Sequence, residues 1–212
     1  MERDRSVRQS QIRAGKLTIV AAALLLVVLH AGCSRLVTSP SPAGVHTVLV
    51  LPVDNRTGSP LDAEAPSLGD LIGRAPQRPP VTAADLLTTA LRLALAERGF
   101  AARLETPPPG AEPIASPEAA GRFVAQAAPD AVALYTRLRV WETTSRSHLL
   151  YVDVALDAWL VTATGATVWT AHLPATPIDG GGASTVSLGY PEVARRVAEL
   201  VTNDLQPAAP EP

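Results

Sequence analysis

The chain has 212 residues and a formal net charge of −2, with 47% apolar residues but only 4% aromatic ones. Its basic groups are front-loaded: beyond residue 32 there are 13 arginines, no lysine and 18 acidic residues. Such a remainder has no basic stripe, which argues against nucleic acid and against charge-driven binding to anionic head groups. A phosphate-binding loop needs a lysine after its glycines, and "DGGGAST" (179–185) has none, so nucleotide binding is not expected either.

Residues 1–32 read as a signal peptide. Arg3, Arg5, Arg8, Arg13 and Lys16 precede an apolar run from Leu17 to Leu29, which as a helix covers about 20 Å against roughly 30 Å of hydrocarbon. It is too short to span, and it ends in small residues. Ala31-Gly32-Cys33 resembles the lipobox of bacterial lipoproteins, although His30 stands where an aliphatic residue is usual. The resemblance implies acylation of Cys33, cleavage before it and attachment to a membrane by several acyl chains, an effectively permanent anchor. Ser34 after the cysteine resembles proteins sorted to the outer membrane and facing the periplasm. The alternative is an ordinary cysteine behind an ordinary cleaved signal. It would leave a lone thiol in an oxidising compartment.

Residues 33–44 are polar and carry proline and serine, as a flexible tether does, and 206–212 read as a disordered tail. The single domain expected between them is 45–205. "HTVLVLPV" (46–53) is a near-continuous apolar run, the pattern of a strand buried on both faces. Asp54 to Pro80 is rich in proline and glycine without periodicity, longer than ordinary loops. From Thr82 a capping box with Asp85 starts a helix carrying Leu87, Leu91 and Ala94 on one stripe, stopped at Gly99. A short strand follows at 101–105, then a helix with Ser116 as cap and Pro117 at its first position.

Three antiparallel strands come next. The first places Val132, Leu134, Thr136, Leu138 and Val140 on one face and Tyr135, Arg137, Arg139 and Trp141 on the other. The second places Leu150, Val152, Val154, Leu156 and Leu160 inward and Tyr151, Asp153, Asp157 and Trp159 outward. The third is "ATVWTAHL" (166–173). A two-residue turn at Thr164-Gly165 sets Leu160 opposite Trp169 and Asp157 opposite His172. A helix from Pro191 to Leu205 closes the chain. The fold class expected is α+β, a two-layer βαβα-βββ-α order with a mixed sheet and its helices on one face.

That order, with "VLVLPVDNRTG" at the first strand and "TGATVW" at the last hairpin, resembles a group of bacterial envelope lipoproteins. The group comprises the curli-secretion lipoprotein, the lipoprotein activators of penicillin-binding proteins, lipoproteins of unknown function, and the amino-terminal domain of the Tol-Pal translocation protein. The resemblance implies a fold and a compartment. Its motifs are turn chemistry, and members of one fold differ in function.

Catalytic candidates are few. "TVSLG" around Ser187 lacks the first glycine of a nucleophile elbow. His46, His148 and His172 lie in separate strands without metal-ligand spacing, so neither metal nor cofactor is expected. Asp153 and Asp157 share a strand face but stand about 13 Å apart, beyond the roughly 5–9.5 Å of a glycosidase pair. A cross-strand Arg137 or Arg139 is the quieter partner expected for Asp153. What remains is the outward face itself: Tyr135, Arg137, Arg139, Trp141, Tyr151, Asp153, Asp157 and Trp159. Tyr, Trp and Arg are hot-spot residues, so this face is a candidate partner surface. The other reading has the rings covered by the 54–80 loop or spread on a solvated sheet.

The expected function is that of a non-enzymatic, lipid-anchored periplasmic accessory or scaffold lipoprotein with an envelope protein or glycan as partner. One alternative is an auxiliary lipoprotein of an envelope lipid transport system of the ABC type, for which an apolar groove is expected. A secretion-pore subunit is the other. The proline-rich loop lacks the alternation that a membrane strand requires.

Overall fold

The alternating run after Ala131 becomes the longest strand of a seven-stranded mixed sheet in the computed structural model, which describes residues 36–42, 44–57, 81–146, 149–183 and 186–207. The signal segment, Cys33 and most of the 54–80 loop lie outside the described residues. The strands are β1 (Val37–Thr38), β2 (Thr47–Val50), β3 (Asp54–Asn55), β4 (Ala101–Leu104), β5 (Val132–Arg146), β6 (Leu149–Thr162) and β7 (Thr167–Asp179). Their order is β1-β7-β6-β5-β2-β4, with β3 also on β5. The β2, β3 and β4 pairings are parallel, and the β5-β6-β7 meander and β1 are antiparallel. Three helices pack against the sheet: α1 (Ala83–Glu97), α2 (Pro117–Ala127) and α3 (Val186–Thr202). Among the described residues, no helix is long and apolar enough to cross a membrane.

Local chemistry sets the helix ends. Thr82 Oγ1 accepts from the Asp85 amide at 3.1 Å and Asp85 Oδ2 accepts from the Thr82 amide at 3.0 Å, the reciprocal capping box. Ser116 accepts from the Ala119 amide at 3.2 Å ahead of Pro117. Gly99 takes φ +93°, the left-handed turn that ends α1. α3 starts at Val186, five residues before the expected Pro191, which sits inside the helix.

The α+β class and mixed sheet are as the pattern implies, but the helices divide between the two faces. Val48 and Val50 of β2 join α1 and α3 in the larger core, whereas Leu49 and Leu51 join Ala120 and Val124 of α2 in a second one with Ala133 and Tyr135. A strand buried on both faces needs cover on both, and α2 supplies the second. The fit is close. A Cβ on Gly121 would meet Gly165 Cα at 2.6 Å and the Thr162 carbonyl oxygen at 3.0 Å, backbone against backbone.

Segment 36–42 falls within the expected tether yet is bonded to the domain. Val37 and Thr38 pair with His172 and Ala171. The Ser39 amide donates to the Thr170 carbonyl at 2.9 Å, and Thr38 Oγ1 donates to Asp204 at 2.6 Å.

Gly121→Ala is expected to destabilise the domain by about 1–3 kcal/mol, the usual cost of overpacking. Urea unfolding checks it; Ala at 121 with an unchanged midpoint would mean that α2 does not seat on the β6-β7 turn.

Candidate functional site

Register builds the site. Asp54 of β3 lies opposite Arg137 of β5, Arg137 opposite Asp157 of β6, and Asp157 opposite His172 of β7, so four charged or titratable residues form one row across four strands. Val37 of β1 continues the row. The β6-β7 register is the expected one, with Leu160 opposite Trp169 and Asp157 opposite His172. The turn differs in detail. It spans Ala163-Thr164-Gly165, closed by the Thr162 amide donating to the Ala166 carbonyl at 2.9 Å, and a bulge beside Val161 restores the register.

At the β3 end the row is tied to aromatic rings. Tyr135, fully buried, stacks on Trp159 with centroids 5.4 Å apart, and the Arg137 guanidinium lies 5.8 Å from the Tyr135 ring and 5.7 Å from the Trp159 ring. The Tyr135 hydroxyl donates to Asp54 Oδ2 at 2.7 Å and accepts from Arg137 at 3.1 Å. Arg137 also donates to the Ala115 carbonyl at 2.9 Å, which joins the row to the approach of α2. Burial, and then the Asp54 carboxylate, push the Tyr135 hydroxyl up to about 12. It is therefore a fixed proton donor at neutral pH.

At the β7 end, Asp157 holds Arg139 Nε at 2.8 Å and His172 Nδ1 at 2.5 Å. Arg139 reaches on to the Leu173 carbonyl at 3.2 Å. The Asp157 side chain is 19% exposed, while those of Arg139 and His172 are 36% and 52% exposed, so this end of the row reaches solvent. No group of three His, Cys, Asp or Glu that could hold a metal occurs among the described residues.

The structure thus gathers Tyr135, Arg137, Arg139, Asp157 and Trp159 of the expected face, and corrects others. Trp141 is on the opposite side, 4% exposed in the main core and edge-on to Tyr190 at 5.3 Å. The cause is a bulge at Arg139: Leu138 pairs with Leu156 but Val140 with Ala155, so the alternation of β5 changes phase. Asp153 faces Glu142, not Arg137 or Arg139, because the hairpin is centred between residues 147 and 148, about two residues later than those pairings require. Tyr135 is interior, beneath α2. Tyr151 lies opposite Thr144 and Asp179, beyond the bulge. Asp54 and His172 are the members that sequence reading left out of the face. The "DN" after "LPV" reads as turn chemistry, and only pairing with β5 reveals it as a strand.

No family model matches the chain, and no curated protein matches it. Among solved structures it is similar to the PelC dodecamer from Paraburkholderia phytofirmans, at 17% identity and a TM-score of 0.48 over 82% of this chain and 98% of that one. It is also similar to the lipoprotein GNA1162 from Neisseria meningitidis, at 18% identity and a TM-score of 0.38 over 74% of this chain and 99% of that one.

Two outcomes are expected from this geometry. Tyr135→Phe removes one donor from Asp54, which keeps Arg56 Nε at 2.9 Å and Arg137 Nε at 3.5 Å, and should cost about 1.5–3 kcal/mol, the worth of a hydrogen bond to a charged group. The hydroxyl's folded pKa lies above its value near 10 in an unfolded chain, so its contribution is complete below about pH 10 and lost as pH rises through about 12. Tyrosinate absorbance titration of wild type against Tyr135→Phe should show a late step disappearing; identical curves would place that hydroxyl in water. Trp141→Ala should cost about 3–5 kcal/mol, as deletion of a core aromatic does. A shift under about 1 kcal/mol in urea unfolding would return Trp141 to the surface.

Proposed function

We propose that the protein is a non-enzymatic, lipid-anchored periplasmic accessory or scaffold lipoprotein of a cell-envelope complex, attached to the outer membrane through acylated Cys33. The anchor reading rests on the charged head, the short apolar run and the Ala31-Gly32-Cys33 ending of the sequence. The partner reading rests on the in-register row. Its half-exposed arginine, histidine and indole groups are pre-positioned by Asp54, Tyr135 and Asp157 and do not need to be ordered on binding. Arg with aromatic support is the composition of binding hot spots. A protein or glycan surface rich in carboxylates and carbonyls is the complement of Arg139 and His172. The hydroxyl of Tyr135, held protonated, serves as a structural donor in this arrangement and not as a base.

Arg139→Ala combined with His172→Ala takes both ion-pair partners from Asp157, which is 19% exposed, and should cost about 1–3 kcal/mol while the domain stays folded, as urea unfolding would show. Co-purification of the intact lipoprotein from membranes should then recover at least tenfold less of its partner. A double variant that folds and retains every partner moves the binding surface elsewhere, first to the 54–80 segment. Cys33→Ala should abolish incorporation of radiolabelled fatty acid; label persisting on that variant, or absent from wild type, would remove the anchor.

A further inference from the structure

The first described residue, Leu36, packs against the main core and lies at the rim of a cleft of about 830 Å³, beside Ala94, Glu97 and Arg98 at the end of α1 and Leu200 and Asn203 at the end of α3. From Leu36 onward the chain is held. β1 is paired to β7, the Ser39 hydroxyl accepts from the Thr170 amide at 2.7 Å, and Ser41 Oγ both donates to the Gln206 carbonyl at 3.2 Å and accepts from its amide at 3.0 Å. Only three residue steps separate Leu36 from Cys33. Fully extended, they reach about 11 Å. A domain of about 160 residues has a radius of gyration of about 15 Å, so a leash this short is smaller than the body it holds.

We infer, on the reading that Cys33 is acylated, that the β1 edge and the C-terminal ends of α1 and α3 form a membrane-facing surface held against the phospholipid head-group layer. A twelve-residue tether would let the domain turn freely; a three-residue one keeps the surface around Leu36 turned toward the bilayer. Exposed apolar side chains border it. Leu200 is 41% exposed on the cleft, Leu93 is 46% exposed on the adjoining stretch of α1, and Val37 is 63% exposed on β1. The charges here are nearly balanced, with Glu97, Glu199 and Asp204 against Arg98 and Arg196. Arg98 is engaged with Thr202 and the Glu199 carbonyl, and Arg196 with Glu192 and Asp179. The contact is therefore imposed by the leash and owes little to anionic lipid.

The test uses the acylated full-length protein in vesicles of phosphatidylethanolamine and phosphatidylglycerol that carry an acceptor dye on their head groups. A donor dye is attached at Leu200→Cys or Leu93→Cys, and in a separate protein at Gln126→Cys, exposed on α2 across the sheet. Energy transfer from positions 200 and 93 should exceed that from 126 severalfold. A ten-residue Gly-Ser insertion between Ser34 and Leu36 should abolish the difference, and replacing phosphatidylglycerol with phosphatidylcholine should not change it. Equal transfer from all three positions, or an insertion without effect, overturns the inference while Cys33 carries acyl chain. Mass measurement on the same preparation separates the two failures: an unacylated Cys33 overturns the anchor reading itself, and this inference with it.

Discussion

The sheet depends on a change of phase at one level. At Ala155 and Leu156 of β6, both neighbouring strands carry an extra residue: Arg139 on β5, and one between Leu173 and Thr176 on β7. β6 keeps its alternation throughout, with Leu150, Val152, Val154, Leu156 and Leu160 all buried. Because side-chain direction has period two, one extra residue exchanges the faces of everything beyond it. On β5 the inward set is Val132, Leu134 and Leu138 before the bulge and Trp141 after it; on β7 it is Trp169, Ala171 and Leu173 before and Ile178 after. Matched bulges keep the core continuous beneath α3 while the long hairpin bends. The prolines of β7, Pro174 and Pro177, lie at or beyond this point, past the two residues that pair with β1, where a missing amide is tolerated.

The same bend makes the outer row. A bulged residue has no ladder partner, so Arg139 is free of cross-strand packing and reaches over to Asp157 and the Leu173 carbonyl. Asp157 consequently serves two cationic or titratable neighbours from one position. On its other side the row continues through Arg137 into the Tyr135-Asp54 pair, which is closed from above by the Ala115 carbonyl and α2. The buried aromatic end fixes the geometry and the exposed end presents it. Exposed ion pairs contribute little to stability, so the row is better understood as a shaped surface than as a staple.

Local signals explain which parts were legible in the sequence. The capping box at Thr82, the Ser116-Pro117 start and the even alternation of β6 need only neighbours in the chain, and each is found where the residues place it. The β6-β7 register was legible because a short turn fixes it, although the turn itself is one residue longer and a bulge compensates. The bulge at Arg139 leaves only a faint mark in "RLRVWE", the two consecutive apolar residues Val140 and Trp141, so a period-two reading carried through it puts Trp141 on the wrong face. β1 and β3 are two residues each, too short for any period, and exist only because a longer strand offers them an edge. The position of α2 was implicit in one pattern. "VLVL" in β2 is apolar on both faces, which demands cover on both.

These short elements also relate the two ends of the proposed function. β1 meets the row at its last position, with Val37 opposite His172, and it is the described strand nearest to Cys33 in the chain. The row runs from this edge inward across β7, β6 and β5 to β3. On the proposal that Cys33 is acylated, the His172 end would stand close to the bilayer and the Asp54 end about three strand spacings, or roughly 14 Å, further across the sheet. A partner would meet the row at its His172 end, because α2 covers the Tyr135-Asp54 end and α1 and α3 occupy the other side of the sheet. On the same proposal, a short leash would do for a partner what Tyr135 does for Arg137: it would remove orientations before binding, so that less freedom remained to be lost when a complex formed.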